Sequence, residues 1–515
     1  MRKQRSIFNI LGTMGSYFAM LIFNFVTQRY IIYILGIEYS GINGLFSNIL
    51  TMLSVAELGI GTAIVFKLYK PLKENDYKEI NKWMHFYKIC YRYVALVILI
   101  CGLLIMPFIP KIVGEITIRD NLYLLYLVSL LDVVFSYTLT YKRSLLYADQ
   151  KNYIVNIVHV FYIVFMNITQ IIVLKLFHNY LIFLIVKLFF RIAENIVINV
   201  YVNKNYIYLK ETKKRISDEE RKDIFERVKA IAFQKIAFVV NKGADNIIIS
   251  LFLGIVQVGL YTNYFTIVNA VTSIIYQFIS SFIASVGNLL TDNNKTKSYL
   301  IYREITLVNS YISIMGSIMF IMIGQEFIKL WIGEEYLLSI ATLILFGVYI
   351  YVDSIRRAIT IFKDAGGICK EDKNMYIVMP IINILVSIIL VNIIGLPGII
   401  LGTIVSYLFL IIFSYPKYVF KPLFEKNIKL YYIDLIKYVL IAIISLIISL
   451  FILRCISISN NITKIIIDLI VSFAIGTAVF ILFMKNTTEY KELLNLLKNF
   501  INKFNKNVKK ENFKI

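Results

Sequence analysis

The chain has 515 residues, of which 59% are hydrophobic and only 17% charged, with a formal net charge of +22. A soluble chain carries roughly 25% charged and 45–50% apolar residues. Glycine (23) and proline (7) are too scarce for a fibrous or linker-rich protein. The four cysteines, Cys90, Cys101, Cys369 and Cys455, are scattered and form no Cys-x-x-Cys pair. Disorder, a disulfide framework and a zinc or iron–sulfur site are thereby excluded.

The apolar residues come in runs of about 20 separated by short charged stretches, the length a helix needs to cross a ~30 Å hydrocarbon core. The pattern predicts an all-α polytopic membrane protein. Fourteen spans are expected, at roughly 8–34, 42–66, 89–109, 121–141, 153–174, 180–202, 230–253, 259–288, 305–325, 337–355, 375–394, 398–415, 433–453 and 465–484. The first follows Met1-Arg2-Lys3-Gln4-Arg5 but is longer than a signal's apolar region and lacks a cleavage site, so it reads as a retained helix.

Charge placement gives the orientation. With the N-terminus inside, the inner segments hold 42 of the 54 Lys and Arg residues. The outer ones hold six, Lys111, Arg119, Lys175, Lys329, Arg454 and Lys464. This is the positive-inside pattern, with both termini cytoplasmic and an even number of helices. The basic balance therefore calls for no nucleic-acid partner. All outer loops are short, which excludes a folded external domain. The longest polar segment, 203–229, is inside and falls midway along the first twelve spans.

An internal repeat sits across that midpoint. Leu35-Gly36-Ile37 with Gly41 recurs as Leu253-Gly254-Ile255 with Gly259. Phe108-Ile109 with Gly114-Glu115 recurs as Phe327-Ile328 with Gly333-Glu334. Lys151-Asn152-Tyr153 recurs as Lys373-Asn374-Met375-Tyr376. The offsets are 218, 219 and about 222. Six spans separate the copies, so the halves are expected to be parallel, with a pseudo-two-fold along the membrane normal and a site between them. The expected organisation is an N-lobe at 1–202, a cytoplasmic linker at 203–229, a C-lobe at 230–420, two appended helices at 421–484 and a basic cytoplasmic tail at 485–515.

Charged side chains inside spans are costly, ~2.5–3.5 kcal/mol each at a helix centre, and mark functional positions. Arg29 lies in the outer part of span 1. Lys242 and Asp245 in span 7 map through the 218 offset to Asn24 and Thr27, at comparable depth. A cationic pair across a cavity can hold an anionic head group. The alternatives are an Arg29–Asp245 ion pair, or a local Lys242–Asp245 pair. Glu57, in Ala56-Glu57-Leu58-Gly59-Ile60-Gly61, is a candidate proton or cation site, a partner for Lys235, or a tie between helices. Asp132 in span 4 has the same readings. Lys187, Arg191 and Glu194 share one face of span 6 and point to a hydrated cleft, or to snorkelling plus an Arg191–Glu194 pair. Lys142-Arg143 and Arg356-Arg357 end spans 4 and 10 as topology anchors, or as a basic inner mouth for phosphorylated lipid. His85, His159 and His178 have no metal-ligand spacing, and no Walker A, nucleophile elbow or His-Glu-x-x-His sequence is present, so no metal site, ATPase or hydrolase is expected.

The stretch Leu35–Leu72, LGIEYSGINGLFSNILTMLSVAELGIGTAIVFKLYKPL, resembles the first two helices of the polysaccharide transporter (Wzx-type oligosaccharide flippase) family. That family belongs to the multidrug/oligosaccharidyl-lipid/polysaccharide (MOP) flippase superfamily. Tyr141–Val155 (YKRSLLYADQKNYIV) and Phe327–Tyr336 (FIKLWIGEEY) are similar to its Gram-positive members, and the likeness runs over most of residues 1–420. The resemblance implies a MATE/flippase-like architecture with two parallel six-helix repeats plus two C-terminal helices. It implies alternating-access movement of an undecaprenyl-pyrophosphate-linked oligosaccharide, such as a capsule, exopolysaccharide or O-antigen-like unit, from inner to outer leaflet of a bacterial cell membrane. The substrate would sit in a cationic cavity, for which Arg29, Lys242, Lys187 and Arg191 are the candidates. Glu57, Asp132 and Asp245 are the coupling or ion-pair candidates. No covalent chemistry, hence no enzyme, and no cofactor beyond a coupling H+ or Na+ are expected. Membrane lipids, a polysaccharide polymerase and glycosyltransferases are the expected partners. A cation-coupled drug exporter of the same superfamily, which would want acidic cavity residues, is the main alternative. A membrane-embedded polymerase or glycosyltransferase would need a long external loop that is not present, and a major-facilitator transporter a loop motif that is missing after span 2.

Overall fold

A computed structural model describes residues 2–57, 59–209, 216–368, 370–454, 460–495 and 498. Side chains are described from residue 15 onward, except at 56, 62, 223, 227, 229–234 and 454. Leu58, Cys369, Cys455 and most of the basic tail therefore lie outside the described residues.

The helices are α1 (Arg2–Leu35), α2 (Ile37–Leu53), α3 (Ile60–Glu74), α4 (Tyr77–Ile105), α5 (Ile109–Val113), α6 (Leu122–Thr138), α7 (Thr140–Ala148), α8 (Asn152–Phe177), α9 (Tyr180–Asn205) and α10 (Asp218–Leu253). There follow α11 (Ile255–Ser280), α12 (Ile283–Thr291), α13 (Lys295–Trp331), α14 (Ile340–Ile355), α15 (Arg357–Ala365), α16 (Lys373–Ile394), α17 (Leu396–Phe409), α18 (Lys421–Phe424), α19 (Ile428–Arg454) and α20 (Asn461–Met484). No strand occurs among the described residues. Polar loop residues start many of these helices. Asp76, Asn121, Asn179, Asn294, Ser339 and Asn460 accept hydrogen bonds from first-turn amides, and Ser217 forms a reciprocal capping box with Glu220.

Ten helices among the described residues are long and apolar enough to cross a bilayer, and α6 with α7 forms an eleventh candidate bent by 42°. Three helical segments at expected span positions fall short for visible reasons. α2, with 17 residues, is parted from α3 by a tight turn, Ser54–Glu57. α9 carries Lys187, Arg191 and Glu194 in its middle. α14 has 16 residues, about 24 Å of helix.

The chain divides into two compact units. The first holds residues 1–263 and 376–399, the second 264–375 and 400–515. In the first unit α1 packs along α8, α4 along α6, α6 and α8 along α9, and α10 along α2. In the second unit α13 is central and packs on α14, α19 and α20.

The sequence repeat has a backbone counterpart in the first unit. Gly36 (φ 98°, ψ 171°) and Gly254 (φ 84°, ψ 169°) share one conformation, open to glycine, immediately before α2 and α11. Five residues on, Gly41 lies against the Ile255 carbonyl, and a Cβ on Gly259 would stand 2.6 Å from the Ile37 carbonyl. The two repeat copies thus cross at their glycines in a reciprocal contact. Two polar ties involve the matched positions Thr27 and Asp245. Thr27 of α1 donates to Asn167 of α8 at 2.6 Å. Asn383 of α16 donates to Asp245 of α10, the repeat position of Thr27, at 3.2 Å.

Candidate functional site: a charged, hydroxyl-lined cavity in the first unit

Four helices of the first unit bring ionisable groups together within the spans. Asp132 on α6, its side chain 8% exposed, faces Lys187 Nζ and Arg191 Nε of α9, each at 3.3 Å. One turn along α9, the fully buried Glu194 carboxylate meets Arg191 at 3.3 Å. It also meets Arg143 of α7 at 2.9 Å and His159 Nδ1 of α8 at 2.9 Å. Arg143 additionally donates to Asn195 Oδ1 at 2.8 Å, and Asn195 donates to the Phe135 carbonyl. The Arg191 guanidinium lies 4.9 Å from the centre of the Tyr162 ring. His159 stacks on that ring with a centroid separation of 5.5 Å.

Three permanent cations thus share two carboxylates, leaving one positive charge in excess before His159 is counted. A buried ion network of this kind holds only because every carboxylate has two or more partners. Arg143 Nε is buried and has no hydrogen-bond partner among the described residues, so the guanidinium keeps one donor in reserve.

The exposed end of the network opens into a cavity of about 190 Å³. Asn43, Ser47, Thr51 and Ser54 line it from α2 and its end, Ser129 and Asp132 from α6, and Lys187 from α9. The cavity wall therefore carries four hydroxyls, a carboxamide, a carboxylate and an ammonium. The spacing on α2 explains the wall. Asn43, Ser47 and Thr51 of α2 and Ser54 at its C-cap recur every three or four residues and form one polar stripe. Such a surface can bind sugar hydroxyls and a phosphate oxygen without a metal ion. No group of three or more His, Cys, Asp or Glu that could hold a metal occurs among the described residues.

The remaining candidates lie elsewhere. Glu57 sits in the tight turn after α2 and accepts a hydrogen bond from the Tyr91 hydroxyl. Tyr91 in turn receives one from Tyr87 at 3.2 Å, and Tyr87 bonds Ser144 at 2.8 Å. Gly61 leaves the space for this chain. A Cβ there would be 2.9 Å from Glu57 Oε1, Tyr87 OH and Tyr91 OH alike. Lys235 is exposed and forms no ion pair with Glu57. Asp245 is 2% exposed and accepts from the Tyr261 hydroxyl at 3.1 Å and from Asn383. Lys242 is half-buried on the same helix. Arg29 is exposed and makes no hydrogen bond or ion pair among the described residues, so it is not joined to Asp245.

The structure thus joins Asp132, Lys187 and Arg191 in one network, of which Asp132 and Lys187 line the cavity, and places Glu57, Asp245, Lys242 and Arg29 outside that lining. It also adds Arg143, His159 and Tyr162 to the network. Arg143 is visible in the sequence only as half of a basic doublet at a span end. In the second unit, the doublet Arg356-Arg357 pairs locally with Asp353, and Arg357 meets it at 2.6 Å. The two guanidiniums lie over the Tyr407 and Tyr276 rings.

Residues 37–341 match the family described as "Polysaccharide biosynthesis protein". The chain belongs to this family. Its fold is that of MOP-superfamily transporters. It resembles the lipid II flippase MurJ in an inward closed conformation, with 16% identity and a TM-score of 0.65 over 94% of this chain and 100% of that one. It is also similar to an inward-facing multidrug resistance MATE transporter of the MOP superfamily, at 14% identity and TM-score 0.59 over 76% and 92% of the two chains. A mutant of the Vibrio cholerae MATE transporter VcmN gives 11% identity and TM-score 0.56 over 84% and 99%. No curated protein matches the sequence. The chain is therefore an all-α, multi-pass membrane protein of a polysaccharide biosynthesis family, built on a flippase and transporter fold.

Proposed function

We propose that this protein is a flippase that carries an undecaprenyl-pyrophosphate-linked oligosaccharide from the inner to the outer leaflet of a bacterial cell membrane by alternating access. The observation that carries this reading is the hydroxyl-lined cavity ending on Lys187 and Asp132, within a chain of a polysaccharide biosynthesis family. A head group with phosphates and many hydroxyls cannot cross hydrocarbon unaided, since each unpaired charge or polar group costs several kcal/mol there. A wet, polar cavity removes that cost while the polyprenyl tail stays in lipid. In this account α9, α14 and the broken α2–α3 segment also cross the membrane, giving fourteen spans with both termini cytoplasmic.

Lys187 and Arg191 contact the phosphates, Lys187 as a point charge and Arg191 as a planar fork. Asp132 holds both in place and is exchanged for the substrate anion. Arg29 and Lys242 provide further positive charge. Asp245 and Glu57, both away from the cavity, serve a coupling H+ or Na+. The protein breaks no bond, so it acts as a transporter and not as an enzyme. Polymerase and glycosyltransferases work before and after it on the same lipid-linked unit.

The test is complementation of a strain deleted for the gene. Variants Lys187→Gln, Arg191→Gln, Arg29→Ala and Lys242→Ala are scored for membrane insertion and for surface polymer. Loss of polymer in normally inserted Lys187 and Arg191 variants is expected. Normal export by all four would refute the cationic site. Raised tolerance to cationic dyes on expression, with unchanged polymer, would place the chain with the drug exporters instead.

A further inference from the structure

A file of hydroxyls leads from the partly exposed carboxylate of Glu57 into the core of the first unit. Tyr87 donates to Tyr91 at 3.2 Å, and Tyr91 donates to Glu57 Oε1. At the far end Tyr87 and Ser144 share a hydrogen bond of 2.8 Å in which either oxygen can donate. Tyr87, Tyr91 and Ser144 are at most 5% exposed. The two tyrosines belong to a buried cluster that is otherwise largely apolar, with Ala63, Ile64, Leu68, Leu145, Leu146 and Ile198 among its members. Both ends of the file come within a turn of polar space. Ser54, in the same tight turn as Glu57, lines the Asp132–Lys187 cavity. Met84 and Lys88, on either side of Tyr87 along α4, and Tyr141, one turn before Ser144, line a second polar cavity of about 180 Å³. The distribution of Lys and Arg assigns that end of α4 to the inside.

The described ionisable groups near Glu57 on the packed elements are few. α4 supplies Tyr87 and Tyr91, and α6 supplies Tyr137, whose ring lies 6.0 Å from that of Tyr91. Lys235 of α10 is exposed. A tie between the turn and α4 needs one hydroxyl. Here two more are buried behind it, at a desolvation cost that only their mutual bonds offset. The bonds from Tyr87 to Tyr91 and from Tyr91 to Glu57 point the same way, toward the carboxylate. Hydroxyls in such a file polarise one another and can each accept one proton while passing on another. Acidic groups within membrane spans are the usual ends of such relays.

We infer that Glu57 is a proton-binding site loaded from the inner side through Ser144, Tyr87 and Tyr91. In one transfer Ser144 takes a proton from water and hands its own to Tyr87, Tyr87 hands one to Tyr91, and Tyr91 hands one to the Glu57 carboxylate. Each hydroxyl ends neutral, as it began, and the single proton gained at Glu57 is the one given up by the water. This narrows the coupling ion at Glu57 to a proton. That the proton is exchanged for substrate rests on the flippase reading. The proton site itself does not.

The full-length protein in lipid nanodiscs provides the test. Infrared difference spectra between alkaline and acidic buffer read the C=O stretch of protonated carboxyls. A band gained in acid, lost in Glu57→Gln and shifted in Tyr91→Phe, is expected. Rapid mixing into acid then reads how fast that band appears. Tyr87→Phe keeps the ring and removes the middle link, and should slow the band by about tenfold, the equivalent of one lost hydrogen bond. Should Tyr87→Phe fail to fold, Ser144→Ala breaks the file at its entry and carries the same expectation. Tyr126→Phe, whose hydroxyl bonds the Gly102 carbonyl instead, should leave band and rate unchanged. If Glu57 is only a tie between helices, Glu57→Gln shows the same acid-gained bands as wild type, and the inference is overturned. A wild-type rate in the variant that breaks the file overturns the relay. The spectra need no oligosaccharide, so their failure leaves the polymer assay of the proposed function unaffected.

Discussion

Glu194 is the point at which the charged network of the first unit can be broken most cleanly. Its side chain is fully buried, with Arg143 and His159 at 2.9 Å and Arg191 at 3.3 Å. Glu194→Gln keeps the shape and removes the charge. Arg191 retains Asp132 at 3.3 Å, but Arg143 loses its carboxylate and keeps only Asn195. Leaving one buried cation without its counter-charge costs about 3–5 kcal/mol. Arg143 is 15% exposed, which places the loss near the lower end, about 3 kcal/mol. Thermal unfolding of the purified protein in one detergent reads this directly. The double variant Arg143→Gln/Glu194→Gln removes both charges and should recover roughly 1–3 kcal/mol relative to the sum of the single changes. Wild-type melting of Glu194→Gln, or strict additivity of the two changes, would refute the assigned ion pair.

Three further outcomes are expected. Gly61→Ala should cost about 1–3 kcal/mol, because the new Cβ falls 2.9 Å from three oxygens of the Glu57–Tyr91–Tyr87 chain, and melting checks it. Lys187→Gln should leave melting within about 1 kcal/mol of wild type, since its side chain is 34% exposed and Asp132 keeps Arg191; surface polymer should fall nonetheless. At Glu220 burial pushes the carboxyl up, but the Lys82 ammonium and the Ser217 backbone outweigh it and hold the group below the usual carboxylate range. A depressed carboxyl stabilises above its unfolded pKa of about 4.3 and loses that contribution as pH falls further. The start of α10 should therefore lose amide protection, measured relative to the intrinsic exchange rate at each pH, below about pH 4 and keep it unchanged between neutral pH and that point. Protection there that does not fall in acid would count against the Lys82–Glu220 tie.

Much of this architecture was legible because bilayer physics is one-dimensional. Apolar runs of span length and the inward bias of Lys and Arg can be read along the chain without knowing which helices touch. The repeat was legible for the same reason. Gly36 and Gly254 need a conformation that glycine adopts freely, and Gly41 and Gly259 must each admit a carbonyl from the other copy. The stripe Lys187, Arg191 and Glu194 followed from helical spacing. Its partners did not, because Asp132, Arg143 and His159 stand on three other helices and meet α9 only in the packed bundle. Glu57 illustrates the same limit. Its sequence neighbours show a Gly-rich turn, whereas the hydroxyls that hold it come from α4 and α7. The polar stripe of α2 was within reach of periodicity, but its serines and threonines are unremarkable until Asp132 and Lys187 complete the cavity wall.

The central claim, that this chain moves a finished lipid-linked oligosaccharide across the membrane, is tested most directly by mass spectrometry of the lipid-linked oligosaccharides in a host deleted for the gene. The account predicts accumulation of a complete undecaprenyl-pyrophosphate repeat unit together with loss of the surface polymer, and the accumulated glycan would identify the substrate. Accumulation of incomplete glycans would contradict it and assign the chain to assembly chemistry, and an unchanged lipid pool with normal surface polymer would contradict it outright.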